Sequence, residues 1–225
     1  MEKFMVLDVE GSSICRPYNI GYIIGDKKGN IYCRHSAAIH PHIMENLKQR
    51  ALHGCREMTL NNIKGIEQDN FQKYQHYFDT KEFYNIFMDD VRKYQISKIW
   101  AYNVSFDKAA MNRGLCDIDN DFINKFEWLD IQTAILFTKL LKKKYIKFCK
   151  KNNFLTEKGN IQTKAEVVYR YLFNDLDFVE EHTGLADTLI EYRILLEAFR
   201  TKKKIDGSVA CCWKKIKNFC EIEGL

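Results

Sequence analysis

The sequence predicts a mixed α/β fold built on one central sheet. Three observations carry this. Residues 4–39 hold three apolar, β-rich runs in a row, parted by short polar stretches. Two further short strands, Lys98–Tyr102 and Phe126–Asp130, are interleaved with helices instead of grouped with the first three. Elsewhere apolar residues recur at helical spacing. Strands followed by alternating helices and strands lead to helices layered on one sheet.

Each element has its own warrant. Residues 4–10 form an apolar run closed by two acids and read as the first strand. Tyr18–Ile24 and Ile31–Ile39 read as the second and third. The polar, Gly-containing turn Gly25–Asn30 joins those two as a hairpin, so the first three strands are expected to be antiparallel neighbours. Ile43–His53 is predicted as a helix ending at Gly54. Glu82–Tyr94 is a stronger helix, because Phe83, Ile86, Phe87, Val91 and Tyr94 fall near one face. Ser105–Arg113 follows as a helix closed by Gly114. Ile131–Lys151 reads as one long helix with Ala134, Phe137, Leu141, Tyr145 and Phe148 inward. Thr163–Phe173 and Leu185–Phe199 complete the set, the last with Leu185, Leu189, Tyr192, Leu196 and Phe199 inward. Residues 1–200 thus read as one domain, and 201–225 as a basic, Cys-bearing extension.

Composition bounds the function classes. The 225 residues are 46% hydrophobic and 29% charged, which excludes a disordered or fibrous chain. A domain of this size buries about 70% of its unfolded surface. No run of about 18 apolar residues is present, so no membrane-spanning helix is expected. The start, Met1–Asp8, lacks a signal-peptide core and reads as an immediate strand, so a cytosolic (cytoplasmic) protein without membrane partners is expected. The eight Cys show no Cys-x-x-Cys spacing and are read as thiols. The net charge of +5 is only faint evidence for a polyanionic partner.

Asp8 and Glu10 are the first chemistry-bearing pair. Two apart on a strand, they point to the same side of the sheet. Neighbouring carboxylates repel, and their burial is costly without compensation. A hard cation such as magnesium or manganese would supply it, whereas hydration at a strand end would make it unnecessary. The second feature, Ala101–Asp107, lies where a strand turns into a helix. Asp107 falls in the helix's first turn, where the dipole favours a carboxylate, with Asn103 or Ser105 as the cap. Ordinary capping alone would account for these residues. The third feature is Glu180–Asp187. His182 and Asp187 would stand about 140° apart on one helix and share no face. Gly184 places His182 in a loop and the helix start near Leu185. A surface histidine and a helix-start acid would need no function.

In this order and context the three features resemble the DEDDh 3′–5′ exonucleases. That family has a ribonuclease H-like fold and includes the proofreading epsilon subunit of bacterial replicative polymerase, ribonuclease T and oligoribonuclease. Its Asp-x-Glu on the first strand is matched by Asp8-Val9-Glu10. Its Asn-x-x-Phe-Asp is matched by Asn103-Val104-Ser105-Phe106-Asp107. Its His and Asp at the start of the last core helix are matched by His182 and Asp187. The resemblance covers about residues 3–199. Two departures stand out. Gly11-Ser12-Ser13 replace the usual two Thr and Gly after the first motif. Gly184 replaces the usual Ala of the third, which is expected to loosen the loop carrying His182.

The resemblance implies a central mixed five-stranded sheet flanked by helices, and a two-metal phosphodiester hydrolysis. Asp8, Glu10, Asp107 and Asp187 would hold two magnesium or manganese ions about 4 Å apart, with His182 as general base. The product would be 5′-mononucleotides released from a free 3′ end, with single-stranded DNA as the favoured substrate. Gly11, Ser12, Asn103 and Phe106 would lie at the terminal nucleotide, with core packing the alternative for Phe106. Asp130 reads as a helix cap. His40, His42, His53 and Cys55 do not match a zinc module. Lysines concentrate in 139–151 and 202–217, where Trp213 is read as an anchor for the extension. The competing readings are an exoribonuclease of the same chemistry and a non-catalytic, polymerase-associated nucleic-acid-binding module.

Overall fold

The strand Lys3–Glu10 (β1) alternates strictly. Phe4 and Val6 enter one buried cluster, while Met5, Leu7 and Val9 enter another on the opposite face. Both faces are therefore covered by helices, and β1 lies in the middle of the sheet. The computed structural model describes residues 1–11, 14–53, 57–68, 72–201, 205, 207, 216 and 220. The other strands are Asn19–Asp26 (β2), Ile31–Ile39 (β3), Gln75–Tyr77 (β4), Lys98–Ala101 (β5) and Glu127–Asp130 (β6). Their order across the sheet is β4-β3-β2-β1-β5-β6. As expected, β1 pairs antiparallel with β2, and β2 with β3. β5 joins β1 in parallel, β6 joins β5 in parallel, and β4 joins β3 in parallel.

The sheet thus has six strands among the described residues, not five. The added β4 is only 3 residues long, too short for alternation to be read.

The helices are His40–His53 (α1), Glu57–Glu67 (α2), Thr80–Tyr94 (α3), Val104–Leu115 (α4), Ile131–Ile135 (α5), Lys143–Lys151 (α6), Ala165–Phe173 (α7) and Gly184–Phe199 (α8). α3 and α4 cover the face carrying Met5, Leu7 and Val9. α5 to α8 cover the face carrying Phe4 and Val6. Ile43 of α1 and Ile63 and Ile66 of α2 join a smaller cluster over Ala38. None of the described helices is long and apolar enough to cross a membrane, and the described cysteines form no disulfide.

Two predicted helices differ. The long helix breaks after Ile135 into a π-helical turn, Leu136–Leu140, and restarts at Lys143. The Thr138 hydroxyl donates back to the Ala134 carbonyl, a local bond that competes with helix geometry. The break changes which residues point inward: Phe137 is exposed, while Leu136 and Leu140 are buried. On α8 the buried face runs through Gly184, Asp187, Thr188, Glu191 and Leu195, whereas Leu185, Leu189, Leu196 and Phe199 are only partly buried. The described part of the extension packs against the domain. Ile216 is buried, and the Gly207 carbonyl accepts from the Asp130 N–H at 3.0 Å.

Candidate active site

Asp8 and Glu10 continue the Phe4–Val6 face of β1, toward α8. The register places Asp8 opposite Gly21 and Glu10 opposite Asn19 of β2. Those two β2 residues also receive the start of α8. The Asn19 amide donates to the Ala37 carbonyl at 2.7 Å, and its Oδ1 accepts from the Gly184 N–H at 2.8 Å. Gly21 lies against the Gly184 backbone with no room for a side chain. The first strand and the last long helix are thereby locked together at their acidic ends.

Helix capping follows the same logic. A helix's first N–H groups need acceptors, and an Asp in the first turn would ordinarily be consumed there. Here distant side chains do that work. The Asp130 Oδ2 accepts from the Val104 N–H at 3.0 Å, and its Oδ1 accepts from Thr133 at 2.5 Å, so one carboxylate caps both α4 and α5. Asp130 is therefore a cap, as read. Asn103 and Ser105 are not: Asn103 is exposed in a left-handed conformation, φ 62°, with no capping bond, and Ser105 lies inside α4. Asn19 caps α8 in place of Thr183, which makes no side-chain cap bond. Asp107 and Asp187 are left for other roles.

Asp107 is buried, and its Oδ1 accepts from the Val9 N–H at 3.1 Å, tying α4 to β1 between the first two acids. Asp187 is buried and its Oδ1 has no hydrogen-bond partner. Asp8 is partly exposed as a residue, yet its Oδ2 is sealed from solvent and also without a partner. Two orphaned buried carboxylate oxygens fit a divalent cation, since an all-oxygen donor set suits hard ions. Glu10, His182 and Asp187 each offer a ligand atom within 4.8 Å of the others.

Electrostatics agree with a site built for positive charge. Burial raises Asp8 well above the usual carboxylate range, and Glu191, Asp107, Glu10 and Asp187 add to it. Burial likewise raises Asp107 well above its ordinary value. Glu10 is pushed up to about 7 by burial and by Glu180. Asp187 is pushed up to about 8 by burial, Glu180 and Glu10, against a backbone N–H of His182. A cluster of acids that each resist ionisation marks a site for compensating cations.

Glu191 is a participant that sequence reasoning missed. It lies one helical turn after Asp187, is buried, and is raised well above the carboxylate range by burial, with Asp107 and Asp187 reinforcing. Its Oε2 accepts from the Tyr102 N–H at 3.3 Å, at the strand end that leads into α4. The available signal was its i+4 spacing from Asp187 on the sheet-facing stripe of α8.

His182 sits in the loop, as expected, in a left-handed conformation with φ 56°. Its side chain is 44% exposed, with Nδ1 3.9 Å from Glu180. Its carbonyl accepts from the Asn62 amide of α2 at 2.9 Å, so a second element holds the loop. Gly184 itself is packed without room for a side chain: an added Cβ would lie 2.6 Å from the Gly21 nitrogen. Phe106 is half-buried against the core cluster of α3 and α4. Gly11 abuts Pro17, a Cβ there meeting Pro17 Cα at 3.2 Å. Ser12, His53, Cys55 and Trp213 lie outside the described residues or their described side chains. His42 uses Nδ1 on the Pro17 carbonyl and Nε2 on the Thr80 hydroxyl, so it is engaged in the fold and not held for zinc.

No protein-family model matches the chain, and no curated protein matches it. Among solved structures, Escherichia coli exonuclease I in complex with a dT13 oligonucleotide is similar, with 12% identity and a TM-score of 0.53. The match covers 88% of this chain and 41% of that one, so this chain spans less than half the length of that enzyme. At that identity the likeness is one of architecture: this chain has a ribonuclease H-like fold, a mixed sheet flanked by helices, of the kind exonuclease I carries.

Proposed function

We propose that this chain is a metal-dependent 3′–5′ exonuclease that removes 5′-mononucleotides from single-stranded nucleic acid, with DNA favoured. The carrying observation is the clustering of buried acids from β1, α4 and α8 close enough to raise one another's pKa, with Asp8 Oδ2 and Asp187 Oδ1 buried and unpartnered. Asp8, Glu10, Asp107 and Asp187 would hold two magnesium or manganese ions. Bound there, such ions acidify an attacking water and neutralise charge on the phosphate and the departing 3′-oxygen.

The protein's own residues supply the rest. His182 is exposed enough to meet a water and accepts its proton at a ring nitrogen, and the Glu180 carboxylate, 3.9 Å from Nδ1, would favour the imidazolium so formed. The water oxygen bonds to phosphorus as the phosphorus–O3′ bond breaks, and the shortened strand keeps the 3′-oxygen, which takes a proton from a solvent water to become the new 3′-hydroxyl. Gly11, Ser12, Asn103 and Phe106 would contact the terminal nucleotide. A cytosolic setting and a polymerase partner complete the reading.

Magnesium-dependent digestion of labelled single-stranded DNA, duplex DNA and short RNA tests it and separates the exoribonuclease alternative. Asp8→Ala or Asp187→Ala should abolish nucleotide release and leave the fold intact. Full activity in Asp8→Ala would sink the assignment. His182→Ala should lower the rate by about 10²–10⁴-fold while cation binding persists.

A further inference from the structure

The two soft torsions at a residue's Cα decide where its side chain points, so a side chain is aimed by whatever pins the peptide groups on either side of it. At His182 both peptides are pinned by side chains. The N–H on one side donates to the Asp187 carboxylate, and the carbonyl on the other accepts from the Asn62 amide at 2.9 Å. Between them His182 stands at φ 56°. A residue with a Cβ adopts that left-handed conformation uncommonly, and keeps it only where its surroundings determine it.

The chain next to His182 supplies few other restraints. Leu176, Val179 and Glu181, which lead into it, are exposed. The nearest fixed point on that side is Phe178, whose carbonyl accepts from Arg170 Nε at 2.7 Å and whose ring centre lies 4.3 Å from that of Tyr169. On the other side Gly184 is fixed by Asn19 and Gly21. Asn62 reaches the span between these anchors from outside it. Its helix is seated independently of the loop: Ile63 and Ile66 are buried over Ala38 with Tyr18, Ile43 and Tyr74. Asn62 precedes Ile63 and is itself partly buried, so its amide projects from a firm base to a carbonyl 120 residues away. The donor is also neutral. It holds the loop beside the acidic cluster without offering that cluster a positive charge.

We infer that Asn62 is a positioning residue for His182: with Asp187 on the N–H and Asn62 on the carbonyl, the imidazole leaves the loop in one direction, toward Glu10 and Asp187. The inference rests on the exonuclease reading above and extends it to α2, an element outside the three motifs. Asn62 touches neither substrate nor cation in this account and acts through the His182 backbone.

The test is a double-mutant cycle on magnesium-dependent digestion of oligothymidylate. Asn62→Leu keeps the size of the side chain and removes the donor. In the wild-type background it should lower kcat about tenfold or more, because a displaced base loses its alignment, while KM stays within about twofold. In the His182→Ala background the same change should alter the residual rate by less than about twofold, since there is no imidazole left to aim. A variant that failed to fold would lose that residual rate too. Asn61→Leu, at the exposed neighbouring position of α2, should leave kcat within about twofold. Hydrogen exchange of metal-free protein supplies a readout apart from activity: amides of residues 179–183 should exchange about tenfold faster in Asn62→Leu, with those of the buried face of α8 unchanged. Equal losses of kcat in the two backgrounds would overturn the inference and make Asn62 a support of the fold alone. So would a kcat unmoved by Asn62→Leu, or loop exchange unmoved by it. Each of those failures leaves the exonuclease reading standing, whereas a wild-type chain that releases no nucleotide overturns that reading and the role of Asn62 with it.

Discussion

Gly21 of β2 and Gly184 of α8 touch backbone to backbone: a Cβ on Gly21 would lie 2.1 Å from the Gly184 carbonyl carbon. Gly21 pairs with Asp8 across the ladder, and Gly184 begins the turn that carries Asp187. Their contact sets the spacing of the first and third acidic motifs. Gly21→Ala must push α8 off the sheet. It should cost more than about 3 kcal/mol in denaturant melts, or abolish folding, because the obstacle is backbone and cannot rotate away. Gly184→Ala, which installs the residue usual in the resembled family, should destabilise and lower activity for the same reason.

The pH profile of the metal-free protein should fall toward alkaline pH. Glu10 rises from 4.5 to about 7 and Asp187 from 3.8 to about 8, so the folded state holds their protons more tightly than the unfolded chain. The stability they contribute is fully present below the ordinary carboxylate range and is lost as pH rises through about 7 and about 8. Thermal melts in chelator should therefore show a lower Tm at pH 8 than at pH 6. Asp187→Asn should shrink the difference, and added magnesium should oppose it.

Glu191 should separate fold from charge. Glu191→Gln keeps an acceptor for the Tyr102 N–H but removes one negative charge from the cluster. The metal-free Tm should rise at pH 8, and calorimetric affinity for manganese should fall. Glu191→Ala removes the acceptor and should cost about 1–3 kcal/mol.

The extension should contribute to stability. Ile216 is buried in the cluster formed by α5 to α8. Ile216→Ala should cost about 2–5 kcal/mol in denaturant melts. An unchanged melt would show that this packing is not formed in solution.

Much of the scaffold was legible because its signals are local. The alternation of β1, the Gly-containing hairpin turn and the apolar face of α3 each declare themselves within about a dozen residues. The short β4 carries too little pattern, and the break at Thr138 depends on one hydroxyl bonding back to Ala134. At the site, Glu10, His182 and Asp187 were readable as motif residues, and the structure brings their ligand atoms together. Glu191 was not, since an acid on an amphipathic helix looks solvated until the partner sheet is known. The capping roles of Asn19 and Asp130 toward α8 and α4 were hidden for a related reason. Both reach across the fold, and Asn19 lies 165 residues from the N–H it accepts.

Those long separations impose an order of synthesis. The Val9 N–H meets Asp107 across 98 residues, and Gly184 meets Asn19 across 165. Chains leave the ribosome N-terminus first, at about 5–20 residues per second. A growing chain can pair β1 with β2 and β3 early, but it lacks Asp187 and Glu191 of the acid cluster until α8 emerges. Hydrolysis of the proposed kind would thus begin only once α8 has emerged and docked on β1 and β2.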